Sequence, residues 1–290
     1  MSHTRFQALA CPLDGDSLER HDGAWCCPAG HSFDIARQGY VHLLPVQNKR
    51  SRDPGDSKEM VAARRRFLEA GHYQPIAEAV SRAVLADAPA GASLSCLDAG
   101  CGEGYYLREL ARACEGAAGD ERSLSLLGVD ISKWAILAAA KRHKAATWVV
   151  GTNAHLPVQA ESLHRVLCLF GFPVYAEFAR VLKPGGELLM VEAGSDHLRE
   201  LREIIYPTLK PPRAGDEKLP EGFTLLGSET LRESIDLSGP EPIADLLAMT
   251  PHLHRASAEG RVKAAALTSL SLTVDVRLTR LARDGVPLGL

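Results

Sequence analysis

The chain has 290 residues, of which 46% are hydrophobic and 24% are charged, and its net charge at pH 7 is −3. This composition excludes collagen-like, low-complexity and globally disordered proteins, and the near-neutral charge does not by itself indicate a nucleic-acid-binding protein. No stretch is long and apolar enough for a transmembrane helix, and Met1–Ala10 lacks the pattern of a signal peptide, so we expect a cytoplasmic protein without a membrane partner.

The N-terminal part carries potential metal ligands among short, turn-rich pieces. Cys11, Cys27 and His31 fit three positions of the four-ligand pattern of structural zinc sites. Asp14 stands where that pattern has its second cysteine, and a carboxylate oxygen can also ligate zinc. Cys26 is an alternative ligand, although in an extended segment its side chain should point away from that of Cys27. The pattern predicts a zinc-knuckle-like module, with a degenerate knuckle that holds no metal as the alternative.

Residues 48–92 are predicted to form a basic, helical linker after the module of residues 1–47. Between Asn48 and Arg66 there are seven basic and three acidic side chains, a local charge of +4. Apolar spacing and helix-start residues predict helices over 57–70 and 74–85. The positive charge favours contact with phosphate groups, and a solvated helix face is the alternative.

From residue 93 to residue 290, apolar runs alternate with helical patterns, which is typical of an α/β sheet. The predicted strands are 94–98, 126–129, 147–150, 165–170, 187–192, 229–237 and 270–281. The predicted helices are 104–114, 132–143, 175–182, 196–205 and 242–249, and 208–222 is predicted to be a loop. We therefore expect an α/β, Rossmann-like fold with a mostly parallel sheet of seven strands.

The sharpest motif is the segment CLDAGCGEGYY at 96–106, which leads from the first of these strands into a helix. Its G-x-G-x-G glycines are Gly100, Gly102 and Gly104. Glycines let a ligand approach the backbone, and the N-terminus of the following helix offers free N–H groups. Asp98 precedes the loop, and Asp130 ends the next strand, where an acid can bind two ribose hydroxyls. A packed turn without a ligand is the alternative.

This loop differs from the dinucleotide-binding pattern and resembles motif I of class I S-adenosylmethionine (SAM) methyltransferases. The turns LPV at 156–158 and RVLKPGG at 180–186 also resemble turns of that family. The resemblance covers about residues 93–195. It implies a methyltransferase domain over 93–290, in which the loop holds the methionyl part of SAM and Asp130 holds the ribose.

The chain also carries the longer motifs CPL at 11–13, CPAGHSFD at 27–34, RQGYVHLL at 37–44, GDSKEM at 55–60, ARR at 63–65 and FLEAGHY at 67–73. These motifs resemble those of RlmA-type 23S rRNA (guanine-N1)-methyltransferases, and the resemblance extends over essentially the whole chain. KRSRDPGD at 49–56 resembles the Gram-negative branch, whose members methylate guanine 745 in hairpin 35. The sister branch methylates a nearby guanine and is linked to macrolide resistance.

The resemblance implies that SAM and a 23S rRNA hairpin are the partners. It places SAM contacts on Tyr73, Gly102, Glu103 and His197, in addition to those of the motif I loop. The residues alone favour other roles: Tyr73 as a packing aromatic before a helix and His197 as a polar residue in the first turn of a helix. For Glu103 the alternative is a favourable charge at a helix N-terminus.

Two departures from the family pattern affect the substrate side. Asp14 replaces a cysteine, and FGFP at 170–173 stands where relatives have a Tyr-Ala-Pro-like segment, although an aromatic ring for stacking on guanine is kept. The sequence does not identify the base that removes the proton from guanine N1, and the candidates are Asp98, His155 and solvent. A small-molecule methyltransferase and a noncatalytic SAM-binding or RNA-binding regulator are the competing functions.

Overall fold

The structure is a computed structural model that describes residues 4–48, 51, 53–87, 91–116, 123–209 and 218–285. A small antiparallel sheet lies near the N-terminus, and it contains β1 (Glu19–His21), β2 (Ala24–Cys26) and β3 (Ser32–Asp34). The next strand, β4 (Tyr40–His42), does not join this sheet. It pairs in parallel with β7 (Thr147–Val150), so the N-terminal segment is hydrogen-bonded into the main sheet.

The main sheet has eight strands in the order β10-β11-β9-β8-β5-β6-β7-β4 within the described residues. Its other members are β5 (Ser93–Ala99), β6 (Ser123–Asp130), β8 (Leu163–Leu169), β9 (Leu182–Ala193), β10 (Phe223–Ser238) and β11 (Ser269–Arg283). Only β11 and β10 run antiparallel to their neighbours. The predicted fold class is confirmed, and the sheet has one strand more than the seven expected because β4 adds to its edge.

Most of the helices pack on one face of this sheet, and the N-terminal segment and a single helix, α5 (Tyr175–Val181), pack on the other. The helices are α1 (Lys58–Glu69), α2 (Gln74–Leu85), α3 (Tyr105–Gly116), α4 (Lys133–Arg142), α5 (Tyr175–Val181), α6 (Arg199–Ile205), α7 (Pro240–Ala248), α8 (His252–Arg255) and α9 (Ala258–Ala265). The sequence pattern missed α8 and α9, which are short. The predicted helix at 196–205 begins later, because Leu198 has a positive φ of 52°. Among the described helices, none has the length and apolar character needed to cross a membrane.

The hydrophobic core is divided into two clusters of buried side chains, and the main sheet contributes residues to both. Trp148 on β7 is fully buried, and its ring packs directly against Gly104 and Gly128. A Cβ atom on Gly128 would lie 2.3 Å from that ring, so glycine is required there by packing. The core therefore fixes the glycine loop directly, through the tryptophan beneath it.

Candidate functional site

The carboxyl ends of β5, β6, β7 and β8 meet at one edge of the main sheet, and two adjoining cavities lie there. The larger has a volume of about 920 Å³ and the smaller about 470 Å³. Both are bordered by Arg64, Gly100, Gly102 and Phe170. Because α/β folds bind ligands at the carboxyl ends of their strands, this double cavity, called the cleft below, is the candidate site.

The three predicted glycines do not serve the same purpose. Gly100 and Gly102 border the cleft with positive φ angles of 92° and 54°, and a Cβ on Gly100 would meet only Asn153, at 4.0 Å. Gly104 lies beneath the loop, where a Cβ would come within 2.4 Å of Trp148. The first two glycines leave backbone accessible to a ligand, and the third allows close packing.

Asp130 closes the loop from the neighbouring strand. Its Oδ2 accepts a hydrogen bond from the Gly102 N–H at 2.9 Å, and its Oδ1 accepts one from the Ser132 N–H at 2.7 Å. Burial raises the pKa of Asp130 above its usual range, and these two hydrogen bonds oppose that rise. Each oxygen keeps a further lone pair, and the residue borders the larger cavity.

Asp98 is a buried carboxyl group without an internal partner. It is 1% exposed, and neither side-chain oxygen has a hydrogen-bond partner in the part of the chain that the structure describes. Burial, and then the nearby charge of Asp130, raise the pKa of Asp98 to about 8. Buried polar groups are nearly always hydrogen-bonded, so an unpaired one beside a cavity points to a ligand that supplies the partner.

The side chain of Glu103 forms a buried ion pair with Arg108. Its carboxylate is fully buried and accepts hydrogen bonds from Arg108 Nη1 at 2.8 Å and Arg108 Nη2 at 3.0 Å. The residue borders the smaller cavity, but both of its oxygens already have a cation as partner. A contact of Glu103 with a ligand would therefore be made by its backbone.

Tyr73 and His197 lie together at one end of β9 and border the smaller cavity, and Tyr73 Oη and His197 Nε2 are 3.3 Å apart. Burial lowers the pKa of His197 to about 4, so the ring is neutral at pH 7. Because His197 Nδ1 accepts from the Asp275 N–H, Nε2 carries the proton and donates to Tyr73. The Phe170 ring stacks against both, with ring centres 6.1 and 5.7 Å away.

The cleft is also bordered by residues that the sequence analysis did not assign to it, among them Arg64, Ile131 and Asn153. Arg64 on α1 reaches over the glycine loop, and Ile131 and Asn153 follow β6 and β7. A positional signal existed for Ile131 and Asn153, because each comes just after a strand that ends at the cleft. Arg64 had no such positional signal, and it stood out only as part of the basic segment and of the motif ARR at 63–65.

The basic segment is only partly described. Lys49, Arg50 and Arg52 lie outside the described residues. Arg64 pairs with Asp56 at 2.6 Å, and Arg66 pairs with Asp245 through two hydrogen bonds of 2.5 and 2.8 Å. These two arginines are therefore committed to ion pairs within the protein, and the prediction of phosphate contacts rests on the rest of the segment.

The substrate side of the cleft has exposed aromatic rings. Phe170 is 40% exposed and Phe172 is 87% exposed, and both border the larger cavity. His155 is also exposed and lies where this cavity adjoins a third one of about 830 Å³, which extends to Cys11–Ser17. Of the two residues that the sequence analysis considered as proton acceptors, His155 faces solvent and Asp98 is enclosed below the loop.

The predicted metal ligands come together in the N-terminal module. Cys11, Asp14, Cys27 and His31 place one potential ligand atom each within 4.8 Å of one another. Cys27 Sγ lies 3.3 Å from Asp14 Oδ2 and 3.4 Å from His31 Nδ1, separations that suit four ligands around one tetrahedral zinc ion. Cys26 is outside the cluster, and its Sγ donates to Ser32 Oγ. The donor set therefore fits zinc with Asp14 as the oxygen ligand.

Known families match both the N-terminal module and the glycine-loop region of the chain. Residues 9–52 match the family model of the RlmA N-terminal zinc ribbon, and residues 96–186 match that of a methyltransferase domain. A putative 23S rRNA (guanine-N(1)-)-methyltransferase of Micromonospora griseorubida is 36% identical, with 94% of this chain and 96% of that protein covered. A 23S rRNA (guanine(748)-N(1))-methyltransferase of Streptomyces fradiae is 34% identical, with 84% of each covered.

The fold, the glycine loop and these relatives define an SAM-dependent methyltransferase. The chain belongs to the family of 23S rRNA (guanine-N1)-methyltransferases. The resemblance to RlmA-type methyltransferases, which the sequence analysis based on short motifs, is confirmed.

The unpaired carboxyl of Asp98 gives a pH-dependent prediction. A carboxyl group whose pKa is raised on folding binds its proton more tightly in the folded protein, so the ligand-free protein loses stability as pH rises toward 8. Asp98→Asn removes that loss, and we expect its melting temperature to exceed that of the wild type by at least about 3 °C at pH 9 but by less at pH 5. Thermal melts at the two pH values test this, with the exposed Asp34→Asn as the control. A shift of equal size at both pH values would contradict it.

The metal cluster gives a second prediction. We expect purified protein to hold about one zinc ion per chain, and Asp14→Ala to release it at lower chelator concentration because one of four ligands is lost. Asp14→Cys restores a thiolate and should hold zinc more tightly than the wild type. Cys26→Ser, outside the cluster, is the control. Colorimetric zinc release is the measurement, and wild-type retention by Asp14→Ala would show that Asp14 is not a ligand.

Proposed function

We propose that this protein transfers a methyl group from SAM to N1 of a guanine in 23S rRNA. The observation that carries the proposal is the likeness to rRNA guanine-N1 methyltransferases, which extends over 94% of the chain and includes both the metal-binding module and the cleft. A small-molecule methyltransferase would need neither the N-terminal module nor the exposed aromatic rings. A cytoplasmic location follows from the proposed substrate.

The cleft has the groups that SAM requires. When bound, SAM supplies a methyl group activated by its sulfonium. Asp130 would hold the ribose hydroxyls with the lone pairs that Gly102 and Ser132 leave free, and Ile131 and Asn153 border the space beside it for the adenine. Asp98 would accept the methionyl ammonium group, which provides the partner that its buried carboxyl lacks.

The other predicted cofactor contacts fit at the methionyl end. Gly100 and Gly102 leave the backbone open there, while Gly104 supports the loop from below. Tyr73 and His197 would close that end as a neutral, hydrogen-bonded pair. Because they present rings and no additional charge, they would shield the methyl group from water.

The acceptor guanine must leave its base pair, because N1 lies on the Watson–Crick edge. Phe172, 87% exposed at the mouth of the cleft, offers a face on which an unpaired base can stack. Neutral N1 carries a proton that must be removed. His155 at the rim is better placed to receive it than Asp98, because Asp98 is buried and would be engaged by the ammonium group.

We propose that residues 1–47 form the RNA-recognition module and residues 48–92 the link to the methyltransferase domain, 93–290. Support comes from the third cavity, which lies between the metal-cluster segment Cys11–Ser17 and the turn Leu156–Gln159 and adjoins the cleft at His155. An RNA strand lying there would touch the module and reach the methyl donor.

Two guanines are candidates for the methylated position, and each is supported by one observation. The segment 49–56 resembles the branch that methylates guanine 745 of hairpin 35. The Streptomyces fradiae relative, 34% identical, is named for guanine 748. The bases lie in the same RNA region, so the same cleft serves either assignment.

Methylation of unmodified 23S rRNA tests the proposal. The protein is incubated with labelled SAM and rRNA that lacks its own modifications, and the methylated base is mapped as a primer-extension stop. We expect one strong stop, because methylation of N1 blocks base pairing. A stop at 745 supports the sequence resemblance, and a stop at 748 supports the relative's position.

Absence of label in the RNA, with SAM binding intact, would contradict the rRNA assignment. It would favour the small-molecule methyltransferase, in which the cofactor site is retained and the acceptor differs. Absence of both label and SAM binding would contradict the cofactor site as well.

A further inference from the structure

Arg64, which borders both cavities of the cleft, has a buried side-chain nitrogen with no hydrogen-bond partner among the described residues. Its Nε makes no hydrogen bond within the described residues, although its Nη2 donates to Asp56 Oδ2 at 2.6 Å and to the Met249 carbonyl at 3.1 Å. These two bonds fix the guanidinium between α1 and the end of α7. The unpaired donor is therefore held in place and is not the free end of a mobile side chain.

The position of Arg64 is at the glycine loop itself. Its Cδ lies 3.5 Å from the point that a Cβ on Gly102 would occupy, and the side chain borders both cavities of the cleft. The positive charge reaches the groups around it, since it lowers the pKa of both Tyr73 and Asp130 against the effect of their burial.

The charge balance of the cleft makes this cation distinctive. Among the described residues that border the two cavities, Arg64 is the only lysine or arginine. The acidic residues there are Asp56, Asp98, Glu103, Asp130 and Glu192. Arg64 is therefore the basic side chain, among these described residues, that can attract a ligand carboxylate into this cleft.

We propose that Arg64 binds the methionyl carboxylate of SAM, with its unpaired Nε–H as a donor. This rests on the proposed function, which places SAM in the cleft. The methionyl group is a zwitterion, and the described residues of the cleft include an unpaired buried carboxyl group, on Asp98, and an unpaired buried N–H donor, on Arg64. The two orphaned groups complement the two charges of the ligand.

The test compares SAM with decarboxylated SAM, which keeps the ammonium, sulfonium and adenosine groups and lacks only the carboxylate. Dissociation constants are measured by isothermal titration calorimetry. We expect wild-type protein to bind SAM about 10- to 100-fold more tightly than the decarboxylated ligand, as a charge-assisted hydrogen bond implies. Arg64→Gln should lose most of this preference, by weakening SAM while leaving the decarboxylated ligand within about threefold.

Asp56→Asn separates ligand binding from a structural role. It removes the charge of the ion-pair partner but keeps a side-chain oxygen that can accept from Arg64 Nη2, so Arg64 stays fixed and the preference for SAM should persist. Arg65→Gln on the same helix is the matched arginine control and should also keep the preference. Arg64→Lys keeps the charge but lacks the planar donor fork, so it should retain part of the preference for SAM. This variant replaces Arg64→Gln in the test if Arg64→Gln does not fold.

Three results would overturn the inference. Equal wild-type affinity for the two ligands would show that the carboxylate is not recognised, while SAM binding itself would leave the proposed function standing. Equal weakening of both ligands by Arg64→Gln, or the same loss in Asp56→Asn, would show that Arg64 only fixes the loop. Failure of the wild type to bind either ligand would overturn the proposed function together with the inference.

Discussion

The arrangement of the site depends on one carboxylate that accepts two backbone hydrogen bonds. Asp130 ends β6 and binds the N–H groups of Gly102 and Ser132, which join the glycine loop after β5 to the start of α4. The Ser132 hydroxyl then donates to the Asp56 carbonyl at 2.6 Å, so the segment before α1 is fixed to the same point. The glycine loop, the start of α4 and the segment before α1 are thereby held around one cavity. Their relative positions are fixed before any ligand binds.

The cleft is prepared for a ligand with charges of both signs at some cost to the folded state. Asp98 is buried without a partner, and the Arg64 Nε is likewise unpaired. Unsatisfied buried groups destabilise a protein, so their presence beside the same cavity is explained by a ligand that satisfies both. A bound zwitterion would supply hydrogen-bond partners to both groups. Part of the binding free energy would therefore come from removing these two penalties, in addition to the other contacts with the ligand.

The sequence predicted those features that depend on local pattern. The glycine loop, Asp130 and the alternation of strands and helices follow from neighbouring residues, and the metal ligands follow from their spacing. Features that depend on distant partners were not predictable: β4 joins the sheet through β7, more than a hundred residues later, and Arg64 is fixed by Met249, which is 185 residues away. Glu103 matched a motif, but the identity of its partner Arg108 depends on how α3 turns.

Equilibrium binding of SAM to wild type and to Asp130→Ala tests the central claim most directly, because Asp130 both shapes the loop and would hold the ribose. The account predicts that the wild type binds SAM and that the variant loses about 10- to 100-fold in affinity, as expected when hydrogen bonds to a charged group are removed. Asp130→Asn, which keeps one acceptor oxygen, should lose less. An unchanged affinity in Asp130→Ala, with the fold intact, would contradict the assignment of this carboxylate to the cofactor and of the cleft to SAM.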